Sequence, residues 1–251
     1  MKNILKIDIS VYLLILIGIF SGYIKDIFIV YFIVIMHELG HVIFFMLFKV
    51  DIVKIVIYPF GGMCYVNKKI NIRILYDVLI NIGGILMQLI LFIIVYYLWN
   101  RGIIIDSTYV MFNKYNISII LFNMLPIIPL DGSKLMLNIL CKYLSFRISY
   151  VLMIIVSIIF CILFILFNVI YGINDMVVYG FLLYKLVEVI REYRLLMGKF
   201  YMERIIYDNY YDGIINDCNS IKDMKIGKYY YFYKNGRYIS EKDYLKYLNN
   251  Y

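Results

Sequence analysis

The stretch Ile27–Phe48, IFIVYFIVIMHELGHVIFFMLF, governs the interpretation of everything around it. As a helix rising about 1.5 Å per residue it reaches about 33 Å, enough to cross a hydrocarbon core of about 30 Å. Its middle nevertheless carries HELGH, which holds both histidines of the chain, His37 and His41, with Glu38 beside them. His37 falls about 15 Å from the start of the stretch, near the bilayer midplane. An ionisable group at that depth costs about 2.5–3.5 kcal/mol by insertion scales, so such groups face a protein interior or a watered cavity and mark function. Imidazoles at i and i+4 project from one helical face and can hold one metal, and Glu38 can then act as general base on water. The competing reading is a pair of packed histidines hydrogen-bonded between helices, with Glu38 neutral.

The composition agrees with a membrane body. Of 251 residues, 64% are apolar and 17% charged, against about 45–50% and about 25% in soluble domains. A soluble enzyme is excluded. The first 190 positions hold 23 charged residues and the last 61 hold 19, so residues 1–190 read as a membrane domain and 191–251 as a cytoplasmic C-terminal module. Six spans are expected, at Ile9–Ile24, Ile27–Phe48, Val78–Trp99, Tyr109–Leu125, Ser149–Tyr171 and Met176–Ile190, the first, fourth and sixth being short. With a cytoplasmic N-terminus, 21 Lys and Arg fall inside and only Lys25, Arg101 and Lys114 outside, with Lys185 in the last span. That asymmetry favours an even span count with both ends cytoplasmic. The net charge of +8 thus reports topology and a lipid bilayer, not a nucleic-acid partner. Lys2 and Lys6 precede an apolar run without a small-residue cleavage site, which makes it a first span and not a cleaved signal. The four cysteines, Cys64, Cys141, Cys161 and Cys218, form no CxxC pair and read as reduced packing residues.

Two polar segments stand out. Asp51–Val66, DIVKIVIYPFGGMCYV, is β-branched and broken by Pro59, Gly61 and Gly62, and reads as a membrane-edge β-hairpin. In the tail, KYYYFYKNGRYIS (228–240) has an Asn235-Gly236 turn between strand-like runs and leads into the helix-like EKDYLKYL, a small α+β module. The fold class expected is therefore a polytopic α-helical membrane protein with a membrane-edge hairpin and a small cytoplasmic module.

Two histidines leave zinc one ligand short, since catalytic sites commonly supply three and keep a fourth position for water. Asp131, in NMLPIIPLDG (Asn123–Gly132), is the best buried carboxylate to complete the set. Pro126 and Pro129 break the helix before it and free backbone groups that only a protein-lined cavity could satisfy. Asp131 reads alternatively as the N-cap of the next helix. Asn81 and Gln88 read either as lining a water path or as interhelical hydrogen-bonding groups.

HELGH, PFGG (59–62) and NMLPIIPLDG together resemble the site-2 proteases, intramembrane zinc metalloproteases with an N-x-x-P-x-x-x-L-D-G pattern that Asn123, Pro126, Leu130, Asp131 and Gly132 match. The resemblance implies one Zn²⁺ on His37, His41 and Asp131, Glu38 as general base, and Asn123, Pro126, Gly61 and Gly62 near bound substrate. Asn81–Gln88 is similar to the family's Gly-Gly-Pro-Leu segment, with Ile85 in place of proline; Gly83 and Gly84 fit close helix packing. The short cytoplasmic module is similar to the plan of the stage IV sporulation protein FB group. That group implies a membrane-associated transcription-factor precursor, the sigma-K precursor, as substrate, together with inhibitory membrane proteins and a place in the mother-cell or outer forespore membrane. An anti-sigma factor or a signal-peptide remnant is the alternative substrate, and a non-catalytic zinc-binding membrane protein the alternative class. The tail also resembles the end of one CBS motif, too short for a nucleotide-binding pair. A homo-oligomer is among the arrangements the sequence leaves open.

Overall fold

The computed structural model describes the chain apart from residues 1–4, 10, 13–15, 17–18, 21, 59–60, 68, 167–172, 208–210, 216–217, 219, 235 and 250–251. Among the described residues there are seven helices: α1 (Ile24–Leu47), α2 (Ile74–Asn100), α3 (Asp106–Asn123), α4 (Asp131–Tyr143), α5 (Phe146–Leu166), α6 (Ile173–Ile206) and α7 (Glu241–Asn249). Six strands accompany them: β1 (Leu5–Ile7), β2 (Ile52–Tyr58), β3 (Gly61–Val66), β4 (Gly213–Ile215), β5 (Lys228–Lys234) and β6 (Arg237–Ser240). The chain divides into two compact units, one of residues 1–68 and 79–124 and the other of residues 69–78 and 125–251.

Among the described residues three helices, α1, α2 and α5, are long and apolar enough to cross a membrane, and they coincide with the second, third and fifth expected spans. The region of the fourth expected span is the 18-residue α3, which is insufficiently apolar because Asp106, Asn113, Lys114 and Asn116 interrupt it. That of the sixth lies inside the 34-residue α6, where Asp175, Lys185 and Glu188 dilute the apolar run. Of the first, Ile9–Ile24, residues 10, 13–15, 17–18 and 21 lie outside the described residues.

In the first unit, α1 buries Ile29, Ile33, His37, Gly40, His41 and Phe45, a face spaced by three and four residues. Its other side exposes Phe28, Phe32, Ile35, Leu39, Ile43 and Met46. A helix that is apolar outside and polar within suits lipid as solvent. Ile29 and Ile33 pack with Leu91 and Val95 of α2 and Phe112 of α3. Where α1 crosses α2 the backbones almost touch: a Cβ on Gly40 would lie 2.2 Å from the Gly83 carbonyl oxygen, so only glycine permits this approach. The α1 helix stops by a Schellman turn. Lys49 takes φ +54°, Val50 N–H donates to Phe45 O at 2.9 Å and Lys49 N–H to Met46 O at 3.1 Å. The chain then enters β2, which runs antiparallel to β3 and parallel to β1. The hairpin read from Asp51–Val66 is present, with Pro59 outside the described residues.

In the second unit, β5 pairs parallel with β4 and antiparallel with β6, and α7 follows. Phe146, Met197, Phe200, Met224, Tyr230, Phe232 and Leu245 form its core around Cys141. A charged node lies in this core. The Arg204 guanidinium, wholly buried, donates to Glu241 Oε1 at 2.8 Å, to Asn71 Oδ1 at 3.1 Å, to Lys228 O at 3.1 Å and also to Lys225 O. The second Glu241 oxygen accepts from Tyr230 N–H at 3.1 Å. Burial pushes the Glu241 carboxyl upward while the Arg204 guanidinium pulls it back.

Candidate metal centre

The α1 helix presents His37 and His41 one turn apart, both buried, with ring centroids 4.8 Å apart and planes at 80°. Each ring is held at Nδ1 by α2. His37 Nδ1 lies 2.9 Å from Gln88 Oε1, and His41 Nδ1 lies 2.7 Å from the Ile80 carbonyl oxygen. Both acceptors are carbonyl oxygens, so both Nδ1 atoms carry the proton and both Nε2 atoms carry a lone pair. These two Nε2 atoms stand 3.1 Å apart. Two lone pairs facing each other in a buried site repel unless a cation draws them together.

The rings lie against α2 because Gly84 has no side chain. A Cβ there would stand 2.4 Å from His37 Cε1 and 2.6 Å from the Nε2 atoms of both histidines. Both Gly83 and Gly84 read from sequence as packing glycines, yet they meet different neighbours. Gly83 meets the Phe44 ring and the Gly40 backbone of α1, and Gly84 beds the imidazoles.

Asp131 is the first residue of α4 and is buried. It is not the N-cap. That position is Leu130, which has extended backbone dihedrals, and the Asp131 carboxylate pairs with Lys134 at 2.8 Å. His37 and His41 each offer one ligand nitrogen, and Asp131 is the buried carboxylate that the sequence puts forward as the third ligand. Zinc bonds to imidazole of about 2.0–2.1 Å at a tetrahedral angle set two nitrogens about 3.4 Å apart, close to the observed Nε2 separation. Two neutral imidazoles whose other nitrogens donate to carbonyl oxygens therefore fit zinc by donor type, spacing and supporting bonds.

Glu38 follows His37 on α1 and is half-buried. Asn123 ends α3 and Pro126 lies in the turn after it, both half-buried. Gly61 and Gly62 open β3, opposite Tyr58 and Ile57 of β2. Gln88 follows the second of its two sequence readings, interhelical hydrogen bonding, with His37 and Asn116 as its partners. Sequence reasoning missed the Ile80 carbonyl, since a backbone group leaves no mark in residue types.

Residues 26–101 match the sequence model of peptidase family M50. The stage IV sporulation protein FB of Bacillus subtilis (strain 168) is 32% identical over 206 residues, which cover 80% of this chain and 72% of that protein. This chain belongs to peptidase family M50. Among solved structures, the site-2 protease from Methanocaldococcus jannaschii superposes with a TM-score of 0.59 at 21% identity, over 73% of this chain and 89% of that one, a likeness of fold. As a member of M50 the chain is a zinc metalloprotease of the site-2 protease type, and its long apolar helices fit an integral membrane protein.

Proposed function

We propose that the chain is an intramembrane endopeptidase whose zinc is held by His37 Nε2, His41 Nε2 and an Asp131 oxygen, and that its substrate is a membrane-associated transcription-factor precursor of the sigma-K type. The observation that carries the metal set is the convergence of two Nε2 lone pairs 3.1 Å apart, and the buried Asp131 carboxylate, matched to the family pattern, is the third ligand of this reading. A bound zinc ion supplies Lewis-acid chemistry, bringing the pKa of water to about 7 and polarising a carbonyl oxygen.

The protein's own residues do the rest. Glu38, one position from His37 on the ligand helix, accepts the proton of the attacking water and returns it to the leaving amine. The Asn123 amide, matched to the family pattern, holds the substrate backbone, and Pro126 shapes the turn that follows it. A peptide bond inside an intact helix is screened by its own turn, so the substrate must be extended before attack. The β2–β3 hairpin offers a strand for that, and the family resemblance puts Gly61 and Gly62 near bound substrate. Six spans with cytoplasmic ends, a cytoplasmic module over 191–251 and a forespore-surrounding membrane complete the reading, as does inhibition by membrane partners. The similarity to the Bacillus subtilis sporulation protein supports this choice of substrate.

Zinc analysis of the detergent-purified protein tests the metal set. We expect about one zinc per chain, weakened by Asp131→Asn and lost in the double change His37→Ala and His41→Ala. Glu38→Gln should keep the zinc and stop cleavage; cleavage that survives this change would leave a zinc-binding protein without the proposed base. Co-expression with a sigma precursor bearing its pro-segment, and separately with a spanning anti-sigma factor, decides the substrate. Cleavage of the second alone would overturn the sigma-precursor assignment.

A further inference from the structure

Gln88 of α2 is wholly buried, and Asn116 of α3 is 1% exposed. Their amides form a directed chain. Asn116 Nδ2 donates to the backbone carbonyl of Gln88 at 3.5 Å, Gln88 Nε2 donates to Asn116 Oδ1 at 3.2 Å, and His37 Nδ1 donates to Gln88 Oε1 at 2.9 Å. The direction has a single source. A peptide carbonyl can only accept, so the nitrogen of the Asn116 amide must face it. The Asn116 oxygen is thereby turned toward Gln88, whose nitrogen must meet it, and the Gln88 oxygen is left for His37. The His37 proton is thus fixed on Nδ1 and the lone pair on Nε2. His41 receives the same instruction in one step from the Ile80 carbonyl.

We propose that Gln88 and Asn116 are positioning residues of the metal centre. They hold His37 in the tautomer and ring plane that deliver Nε2 to zinc. An interhelical contact made only for packing would have no need of this polarity, since either amide could flip without loss of burial. The inference rests on the reading of His37 and His41 as zinc ligands.

The chain has two histidines, so ¹⁵N-histidine labelling with a histidine-free affinity tag reports two rings alone, assigned through His41→Gln. At about pH 8, above the ordinary imidazole range near 6.5, both rings of the metal-free protein should carry the proton on Nδ1. Asn116→Ala should give a tautomer mixture at His37 and leave His41 unchanged. In zinc titrations Gln88→Leu should bind about 10–100-fold more weakly. Asn116→Ala should bind less weakly than that, and the double variant no more weakly than Gln88→Leu. Gln88→Glu keeps the acceptor and should bind within a few-fold of the wild type, which guards against a Gln88→Leu protein that fails to fold. A wild-type His37 protonated on Nε2, or zinc affinity unmoved by Gln88→Leu, overturns the relay alone. A wild type with both expected tautomers that binds no zinc overturns the metal reading and the positioning role together.

Discussion

Gly84 shows how much of the site hangs on an absent atom. Its missing Cβ is what lets both imidazoles lie against α2. Gly84→Ala would place a methyl group 2.4 Å from His37 Cε1 and 2.6 Å from both Nε2 atoms, so the rings must move and the ligand pair opens. We expect zinc affinity to fall by at least tenfold with the protein still folded, measured by zinc titration beside circular dichroism. Unchanged affinity would show that the rings do not depend on this bed. HELGH and Asp131 were legible in the sequence because their chemistry is written in residue type and spacing. The part of Gly84 was not, because a glycine in an apolar helix looks the same whether it meets a backbone or an imidazole. Cys141 gives a second test on a single side chain. Burial pushes its thiol up to about 12, with Ser149 pulling down and Asp77 adding a smaller push. Thiolate is the reactive form, so Cys141 should resist alkylation at pH 8 in the folded protein and react once it is unfolded. Rapid labelling of native Cys141 would show that the core around it opens.

Among the helices and strands, those of the tail depend on buried charge. Glu203 at the end of α6 accepts from Ile70 N–H at 2.7 Å and Asn71 N–H at 3.2 Å, while the neighbouring Arg204 ties Asn71 to β5 and α7. Removing one member of a buried ion pair leaves the other uncompensated, at about 3–5 kcal/mol, whereas replacing both by apolar groups is often neutral. Arg204→Met should therefore speed tryptic nicking of residues 208–251 by a hundredfold or more in the purified protein. Arg204→Met combined with Glu241→Leu should recover much of the resistance. A double variant as labile as the single one would show that the backbone carbonyls of Lys225 and Lys228, and not Glu241, are the partners that matter. The sequence announced the strands around Gly236 and the closing helix through turn chemistry and alternation. It held no sign of the role of Arg204, since an arginine in a polar tail reads as solvated and its burial arises only from tertiary packing.

For the complete chain, what matters is how many times it crosses the bilayer. The helices α1, α2 and α5 qualify by length and apolarity, while α3 and α6 divide the readings. Six spans put both termini in the cytoplasm, but so do four, if the Ile9–Ile24 segment crosses and α3 and α6 do not. A reporter at residue 251 cannot separate the two. The segment between α3 and α5 can, because it is cytoplasmic with six spans and external with four. It carries Lys134, Lys142 and Arg147, whereas the α2–α3 connection carries Arg101 alone, so the positive-inside rule favours six. The 18 residues of α3 span about 27 Å, slightly short of a hydrocarbon core of about 30 Å, a mismatch that a locally thinned bilayer accommodates. We therefore expect a reporter that fluoresces only in the cytoplasm to be bright when fused after Tyr143 and dark when fused after Arg101. A dark fusion at Tyr143 would remove α3 from the membrane-crossing set and place Lys134 and Lys142 on the external side, against the charge asymmetry of the chain.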